Sequence, residues 1–352
     1  MRIMQIMAGG AHGGAETAFV ELCTALGKTE HDLHIVMRPN LAREKIFQDS
    51  GLSYTTLSFG GKLDIFTSMK LRKLIREFRP DIVQTWMSRA AVKTPRWSAS
   101  MGVEPYAHIS RLGGYYDLKY YKNTDYFVAN TPDIRDYLLK SGVDQTRASY
   151  INNFTREEPV ISPISRAEYG VPQDKTLLIA LGRLHQVKAF DMLIQAVAQM
   201  SDIYLWIAGE GPERAALEAL IVQLGAGDRI KLLGWRSDRA ELFAAADICV
   251  FPSRFEPFGN VFMQAWAQKI LLITTNSEGP RQYVRHEEDA LVVEVDNQEQ
   301  MMAAITRLAS DKILAQSLVQ RGYERFLNEF TEAKTVQAYL ELYERLKREL
   351  KG

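Results

Sequence analysis

Short apolar runs alternate with amphipathic stretches along most of the chain. Ile3–Ala8, His31–Met37, Ser53–Leu57, Asp81–Trp86, Tyr106–Ser110, Asp125–Ala129 and Ser149–Ile151 have the length and make-up of strands. Between them Ala15–Leu26, Leu41–Ser50 and Asp64–Phe78 place apolar residues at helical spacing. Asp64 and Thr131 are predicted N-caps, and Pro80 stops the helix before it. Asn152–Asp174 breaks the rhythm with Pro159, Pro163, Pro172 and two adjacent asparagines, which is the composition of a linker. The alternation then restarts, with strands predicted at Leu177–Ala180, Ile203–Ala208, Ile230–Leu233, Asp247–Phe251, Leu271–Thr274 and Leu291–Val293, and helix from Met301 onward. Repeated βα units imply parallel sheets covered by helices on both faces. The expected fold is therefore α/β, with two doubly wound Rossmann-like domains facing a cleft. The first spans residues 1–160 and the second 161–330, and a helix over 331–352 packs back on the first. Interdomain clefts are favoured ligand sites.

Composition narrows the function. Lys+Arg and Asp+Glu are both 43, so the net charge is zero, which argues against nucleic acid as a partner. The two cysteines, Cys23 and Cys249, sit in apolar surroundings and read as small buried hydrophobes rather than a disulfide or metal cluster. The start MRIMQIMAGG has too short an apolar run for a secretory signal, and no uncharged run of about 20 residues could span a bilayer. A cytoplasmic location is expected. The segment Lys62–Arg79 carries Lys70, Arg72, Lys73, Arg76 and Arg79 among Ile65, Phe66 and Met69. It reads either as a helix packed on the sheet with solvated charges or as a peripheral contact with the inner face of the cytoplasmic membrane.

Candidate chemistry gathers at strand ends. Phe251–Gln264 reads FPSRFEPFGNVFMQ, a strand end, an acidic loop and a helix start. The free N–H groups of Gly259, Asn260 and Val261 suit an anion, whereas Glu256 suits neutral hydroxyls, so the pair points to a phosphorylated sugar. The second half's first strand leads into Gly182, Arg183 and Lys188, and two cations at that edge suit a diphosphate. Gly209-Glu210, Gly234-Trp235-Arg236 and Glu278-Gly279-Pro280 follow later strands and leave a slot wide enough for a nucleotide. In the first half Gly9-Gly10-Ala11-His12-Gly13-Gly14 leads to Glu16, and is either a ligand loop or a tight βα turn. His108 is read either as a general base or hydrogen-bond donor, or as a satisfied core residue. The tyrosines from Tyr115 to Tyr126, just beyond Arg111, form either a sugar platform or packing.

The set GGAE at Gly13–Glu16, LGRL followed by Lys188, GEGP at Gly209–Pro212, the Glu256 loop with Phe258-Gly259-Asn260, and Glu278-Gly279-Pro280 resembles retaining glycosyltransferase family 4 of the GT-B class. RLGGYYDLKYY and SRFEPFGNVFMQAW further resemble its lipopolysaccharide-core branch. The resemblance implies transfer of a sugar from a nucleotide-sugar to a hydroxyl of a bacterial glycan or lipid-linked glycan, with no metal or other cofactor. It implies catalytic roles for His108, Arg183, Lys188 and Glu256, the two cations binding the donor diphosphate and Glu256 the donor-sugar hydroxyls. Donor contacts fall to Gly13, Gly14, Gly182, Gly209, Glu210, Gly234, Trp235, Arg236, Phe258, Gly259, Asn260 and Val261, and acceptor contacts to Glu16, Arg111 and Tyr115. Gln264 stands where the family usually has a ribose-binding glutamate, which suggests a nucleotide-sugar-binding protein without transfer as one alternative; a nucleotide-sugar epimerase of the same fold is another.

Overall fold

The computed structural model describes residues 1–10, 13–61, 64–162 and 164–350. Ala11 and His12 of the glycine loop, Lys62 and Leu63 of the basic segment, Pro163 of the linker and the terminal Lys351 and Gly352 lie outside the described residues. The chain divides into two compact domains, one of Met1–Phe154 together with the residues from Glu332 onward, the other of Thr155–Thr331.

In the first domain the order is β1 (Arg2–Met7), α1 (Gly14–Leu26), β2 (Asp32–Met37), α2 (Leu41–Asp49), β3 (Ser53–Thr56), α3 (Ile65–Phe78), β4 (Ile82–Trp86), α4 (Ser88–Lys93), β5 (Ala107–Leu112), β6 (Tyr126–Ala129), α5 (Pro132–Lys140) and β7 (Ala148–Tyr150). The strands form a seven-stranded sheet ordered β3-β2-β1-β4-β5-β6-β7, parallel throughout. Strands buried on both faces need apolar residues on both, and β1 supplies them: Ile3 and Met7 pack in one core layer, Met4 and Ile6 in the other. Caps fall where the sequence puts them. Asp64 accepts from the Thr67 N–H at 3.0 Å, and Thr131 from the Ile134 N–H at 3.1 Å.

The second domain runs β8 (Thr176–Leu181), α6 (Phe190–Ala198), β9 (Ile203–Ala208), α7 (Arg214–Gln223), β10 (Ile230–Gly234), α8 (Arg239–Ala245), β11 (Ile248–Phe251), α9 (Asn260–Ala267), β12 (Leu271–Thr275), α10 (Pro280–Tyr283), β13 (Leu291–Val293), α11 (Gln298–Ser310) and α12 (Lys312–Glu329). Its six-stranded parallel sheet is ordered β10-β9-β8-β11-β12-β13, so the order reverses between β8 and β11. Leu178, Ile207 and Val250 face one core layer, Ile179, Trp206 and Phe251 the other.

The stretch predicted as helix from Met301 is three helices. Asp311 caps α12, accepting from the Leu314 N–H at 3.0 Å, and a further helix, α13 (Glu332–Glu349), returns to the first domain. There Tyr339, Leu342, Tyr343 and Leu346 enter the core beside α1. The Tyr343 hydroxyl donates to Gln84 at 2.8 Å and accepts from Gln5 at 3.1 Å, and Gln5 in turn accepts from the Trp86 indole at 2.8 Å. Cys23 and Cys249 are free and buried.

Helix α3 splits its apolar residues between two surroundings. Thr67, Leu71 and Ile75 are buried, whereas Ile65, Phe66 and Met69 are 63%, 69% and 62% exposed. Lys70, Arg72, Lys73 and Arg76 are exposed on the same helix. Among the described residues no helix is long and apolar enough to cross a membrane.

Candidate active site

In open α/β sheets ligands bind beyond the carboxyl ends of the strands where the order reverses. In the second domain that place lies beyond β8 and β11. Strand β8 ends in Gly182, whose φ of 154° lies outside the usual range of other residues. Gly209, at the end of β9, comes so close that a Cβ on it would lie 1.8 Å from the Gly182 carbonyl oxygen. The chain then passes Arg183 and turns through a short 3₁₀ helix, Gln186–Lys188, before α6 starts.

Beyond β11 the loop carries Glu256 back toward this turn. The Lys188 ammonium donates to the Glu256 carboxylate, and it also lies 5.3 Å from the centre of the Phe251 ring. Their side chains are only 19% and 18% exposed, so solvent screens this pair less than a surface ion pair. Arg183 is exposed and makes no hydrogen bond or ion pair among the described residues. At Gly259 the chain takes a left-handed φ of 90°, and a Cβ there would meet the Phe251 ring at 2.7 Å. That turn starts α9, whose first N–H groups belong to Asn260 and Val261. Gln264 follows one turn later and is partly exposed. Phe258 is buried and packs on Phe262 and Tyr283 with centroids 5.5 and 5.4 Å apart, so it supports the loop from beneath.

Arg254 is a positioning residue that the sequence reading did not single out. Its guanidinium grips Asp191 at 2.8 and 2.9 Å, Asp296 at 2.7 and 2.9 Å and the Gln186 carbonyl at 2.7 Å, and its backbone N–H donates to Val187 at 2.8 Å. The hydrogen bond to Asp191 raises its pKa further above the ordinary arginine value. It thus ties the turn bearing Lys188 to the loop bearing Glu256. Its place inside the SRFEPFGN stretch was the only signal available for it.

Several expected donor residues are engaged elsewhere. Glu210 pairs with Arg214 at 2.6 Å. The Arg236 guanidinium, expected as a donor contact, donates to Asp238 and, at 3.1 Å, to the Tyr169 hydroxyl. Trp235, after Gly234, is 70% exposed.

The first domain gathers a second group beyond β1. Glu16, buried in the first turn of α1, accepts from the Gly10 N–H at 2.6 Å. Its carboxylate fills the space beside Gly9 and Gly13, where a Cβ on either would meet it at 2.5 Å. Gly14 begins α1 and has open space around it. Arg111 belongs to β5 and is buried, 4.6 Å from the centre of the Trp86 ring and donating to Asn153. Strand β5 therefore runs past the predicted end at Ser110, because Trp86 and Asn153 make a place for the charge. Tyr115 is partly exposed and donates to Asp133.

His108 does not join this group. It is the second residue of β5, fully buried, with Nε2 3.0 Å from the Thr85 hydroxyl and Nδ1 2.8 Å from the Asn123 carbonyl. Burial pushes its pKa down to about 4, so the ring is neutral at pH 7. With both nitrogens engaged and the ring toward the amino end of the strand, it is a satisfied core residue, which corrects its expected catalytic role. Among the described residues no group of three or more His, Cys, Asp or Glu side chains is placed to hold a metal ion.

Two parallel-sheet Rossmann-like domains, the second bearing a lysine, an acidic loop and a helix start at its switch point, define the GT-B class of glycosyltransferases. Residues 162–325 match the glycosyl transferases group 1 family, and residues 12–158 match a model described as glycosyltransferase family 4. The chain is similar to two lipopolysaccharide core biosynthesis glycosyltransferases of Rhizobium meliloti (strain 1021). One is LpsE, 32% identical over 95% of this chain and 96% of the relative, and the other LpsD, 33% identical over 98% of each. Its fold resembles that of Anabaena Alr3699/HepE in complex with UDP, with a TM-score of 0.85 at 17% identity over 98% of this chain and 100% of that one. The chain belongs to the glycosyltransferase family of the two Rhizobium relatives.

Proposed function

We propose that this glycosyltransferase moves a sugar from a nucleotide-sugar, with retention and without a metal, to a hydroxyl of a lipopolysaccharide-core acceptor. The observation that carries the proposal is the Lys188–Glu256 pair between exposed Arg183 and the start of α9. Leaving-group charge is the main obstacle to transfer, and preorganised cations and N–H groups meet it where it develops. On arrival of the diphosphate, Lys188 exchanges Glu256 for phosphate oxygens. The freed carboxylate then accepts donor-sugar hydroxyls. The bond from the anomeric carbon to the phosphate oxygen breaks, the acceptor oxygen bonds that carbon, and the acceptor proton leaves on the diphosphate. Gln264 offers its amide to the ribose. The lipopolysaccharide assignment is supported by the names of the two Rhizobium relatives, and a uridine donor by the UDP bound to HepE.

Thermal unfolding with UDP, GDP and ADP tests the donor site, since a ligand of the native state at a hundredfold excess over Kd stabilises by about 2.7 kcal/mol. A rise with UDP is expected, and no rise with any of the three would overturn the proposal.

We assign the exposed Ile65, Phe66 and Met69, with the cations behind them on α3, to peripheral contact with an anionic membrane at the cytoplasmic inner face, where a lipid-linked acceptor is found. Co-sedimentation with phosphatidylglycerol vesicles is expected for the wild type. In Phe66→Glu the partition coefficient should fall at least about tenfold, the scale of losing one buried aromatic side chain. Equal sedimentation of the two proteins would remove the assignment.

A further inference from the structure

The glycine loop after β1 adjoins a buried charge with unpaired donors. Arg43 stands in the first turn of α2, its backbone N–H donating to Asn40 at 3.0 Å, and the residue is only 5% exposed. A guanidinium carries five N–H donors and keeps its proton in proteins. One donor, on Nη2, goes to the Gly10 carbonyl. The N–H groups on Nε and Nη1 are buried and have no partner among the described residues. A buried donor left unpaired costs free energy, and more so when it is charged, so the group calls for an explanation beyond packing.

Its surroundings say what would satisfy it. Gly10 also donates to Glu16 in the first turn of α1, so the guanidinium lies against the loop that opens that helix, whose 13 residues direct their first N–H groups to the same end. Burial pushes the Arg43 pKa down from the ordinary arginine value, Glu16 works against that shift, and Arg38, following β2, adds to it. Glu16 already accepts from Gly10 and does not reach hydrogen-bond distance of Arg43. At the carboxyl end of β5, two strands away from β1 in the sheet, Arg111 is 4% exposed and its Nε is likewise buried without a partner. The carboxyl edge of this sheet therefore holds two buried guanidinium groups, Arg43 and Arg111, each with donors unpaired among the described residues.

We propose that this edge of the first domain is an anion site that takes a carboxylate or phosphate carried by the sugar acceptor, and that Arg43 reads it. The proposal rests on the reading of the first domain as the acceptor side. Nε–H and Nη1–H lie on different edges of the guanidinium, and each can give an anion oxygen a charge-assisted hydrogen bond, stronger than the one a neutral hydroxyl accepts.

The test is calorimetric titration of the full chain with glucose, glucuronate, glucose 6-phosphate and inorganic phosphate. The wild type should bind glucuronate or glucose 6-phosphate at least about tenfold more tightly than glucose, the scale of one charge-assisted hydrogen bond. Arg43→Gln should abolish that preference and Arg43→Lys reduce it. Arg183→Ala should keep it, which separates the site from the donor cations. Equal binding of charged and neutral sugars, or a preference that survives Arg43→Gln, would overturn the proposal. So would inorganic phosphate binding as tightly as glucose 6-phosphate, because the site would then hold a free anion rather than an acceptor. UDP binding measured on the same Arg43→Gln protein tests the donor site separately, and should match the wild type whichever way the sugars behave. If Arg43→Gln does not fold by circular dichroism, the Arg43→Lys titration carries the comparison, and an unchanged preference there would overturn the proposal.

Discussion

Lys188→Ala is expected to lower kcat about a hundredfold to a thousandfold while leaving the far-ultraviolet circular dichroism unchanged. The ammonium is the partly buried cation paired with Glu256. Its loss removes a charge that the leaving diphosphate meets late in the reaction, so kcat should fall more than donor affinity. It also leaves Glu256 without its cation. Glu256→Gln in the same background isolates that second effect, because the amide needs no counter-charge. If the double variant recovers the fold stability lost in Lys188→Ala, that loss came from the uncompensated carboxylate, and turnover lost in Lys188→Ala with the fold intact reports the lysine's part in the reaction. Wild-type turnover in Lys188→Ala would remove the residue from the mechanism. Arg254 supplies the contrast. It touches neither Lys188 nor Glu256 through its side chain, so its replacement should act through the position of the turn, and Arg254→Lys should restore part of what Arg254→Ala loses.

Phe262→Ala should destabilise the protein by about 3–5 kcal/mol, the usual range for a buried aromatic ring cut to a methyl group. Phe262 is fully buried on α9, with ring centroids of Phe258, Trp266, Tyr283 and Phe330 at 5.5, 5.0, 5.6 and 5.5 Å. Such a cluster closes poorly around a cavity because each ring is held by the others. For a domain of this size the loss corresponds to a fall in Tm on the order of 10 °C, readable by calorimetry. The same ring supports Phe258 under the acidic loop, so donor affinity should fall along with Tm. A change in Tm of a degree or less would show that the cluster repacks freely and does not hold the loop.

What could be read from the sequence, and what could not, divides by the range of the interaction. Strands such as β9 and β13 lie where their apolar runs placed them, because a strand buried on both faces has to be apolar along its whole length. The meeting of Lys188 with Glu256 followed from two loops assigned to neighbouring strand ends. The catalytic expectation for His108 came with the resemblance, and its register beside Val83, well before the Trp86–Arg111 pair at the carboxyl end of β5, fits the core alternative. Arg254 was hidden by the range of its contacts. Asp191 and Asp296 come from distant parts of the chain, and nothing local marks either as the partner of Arg254. The buried Arg43 was out of reach as well, since an arginine in a first helical turn looks like any solvated charge until its burial is known.

The return of α13 to the first domain reverses the order in which the two domains can be finished during synthesis. A chain emerging amino end first exposes Met1–Phe154 early, yet the core that takes in Tyr339, Leu342, Tyr343 and Leu346 stays open until those residues are made. The domain of Thr155–Thr331 has all its residues sooner and can close first. Until α13 arrives, Gln5 and Gln84 lack the Tyr343 hydroxyl that links them, so the nascent first domain carries an unsealed apolar face through the whole synthesis of the second.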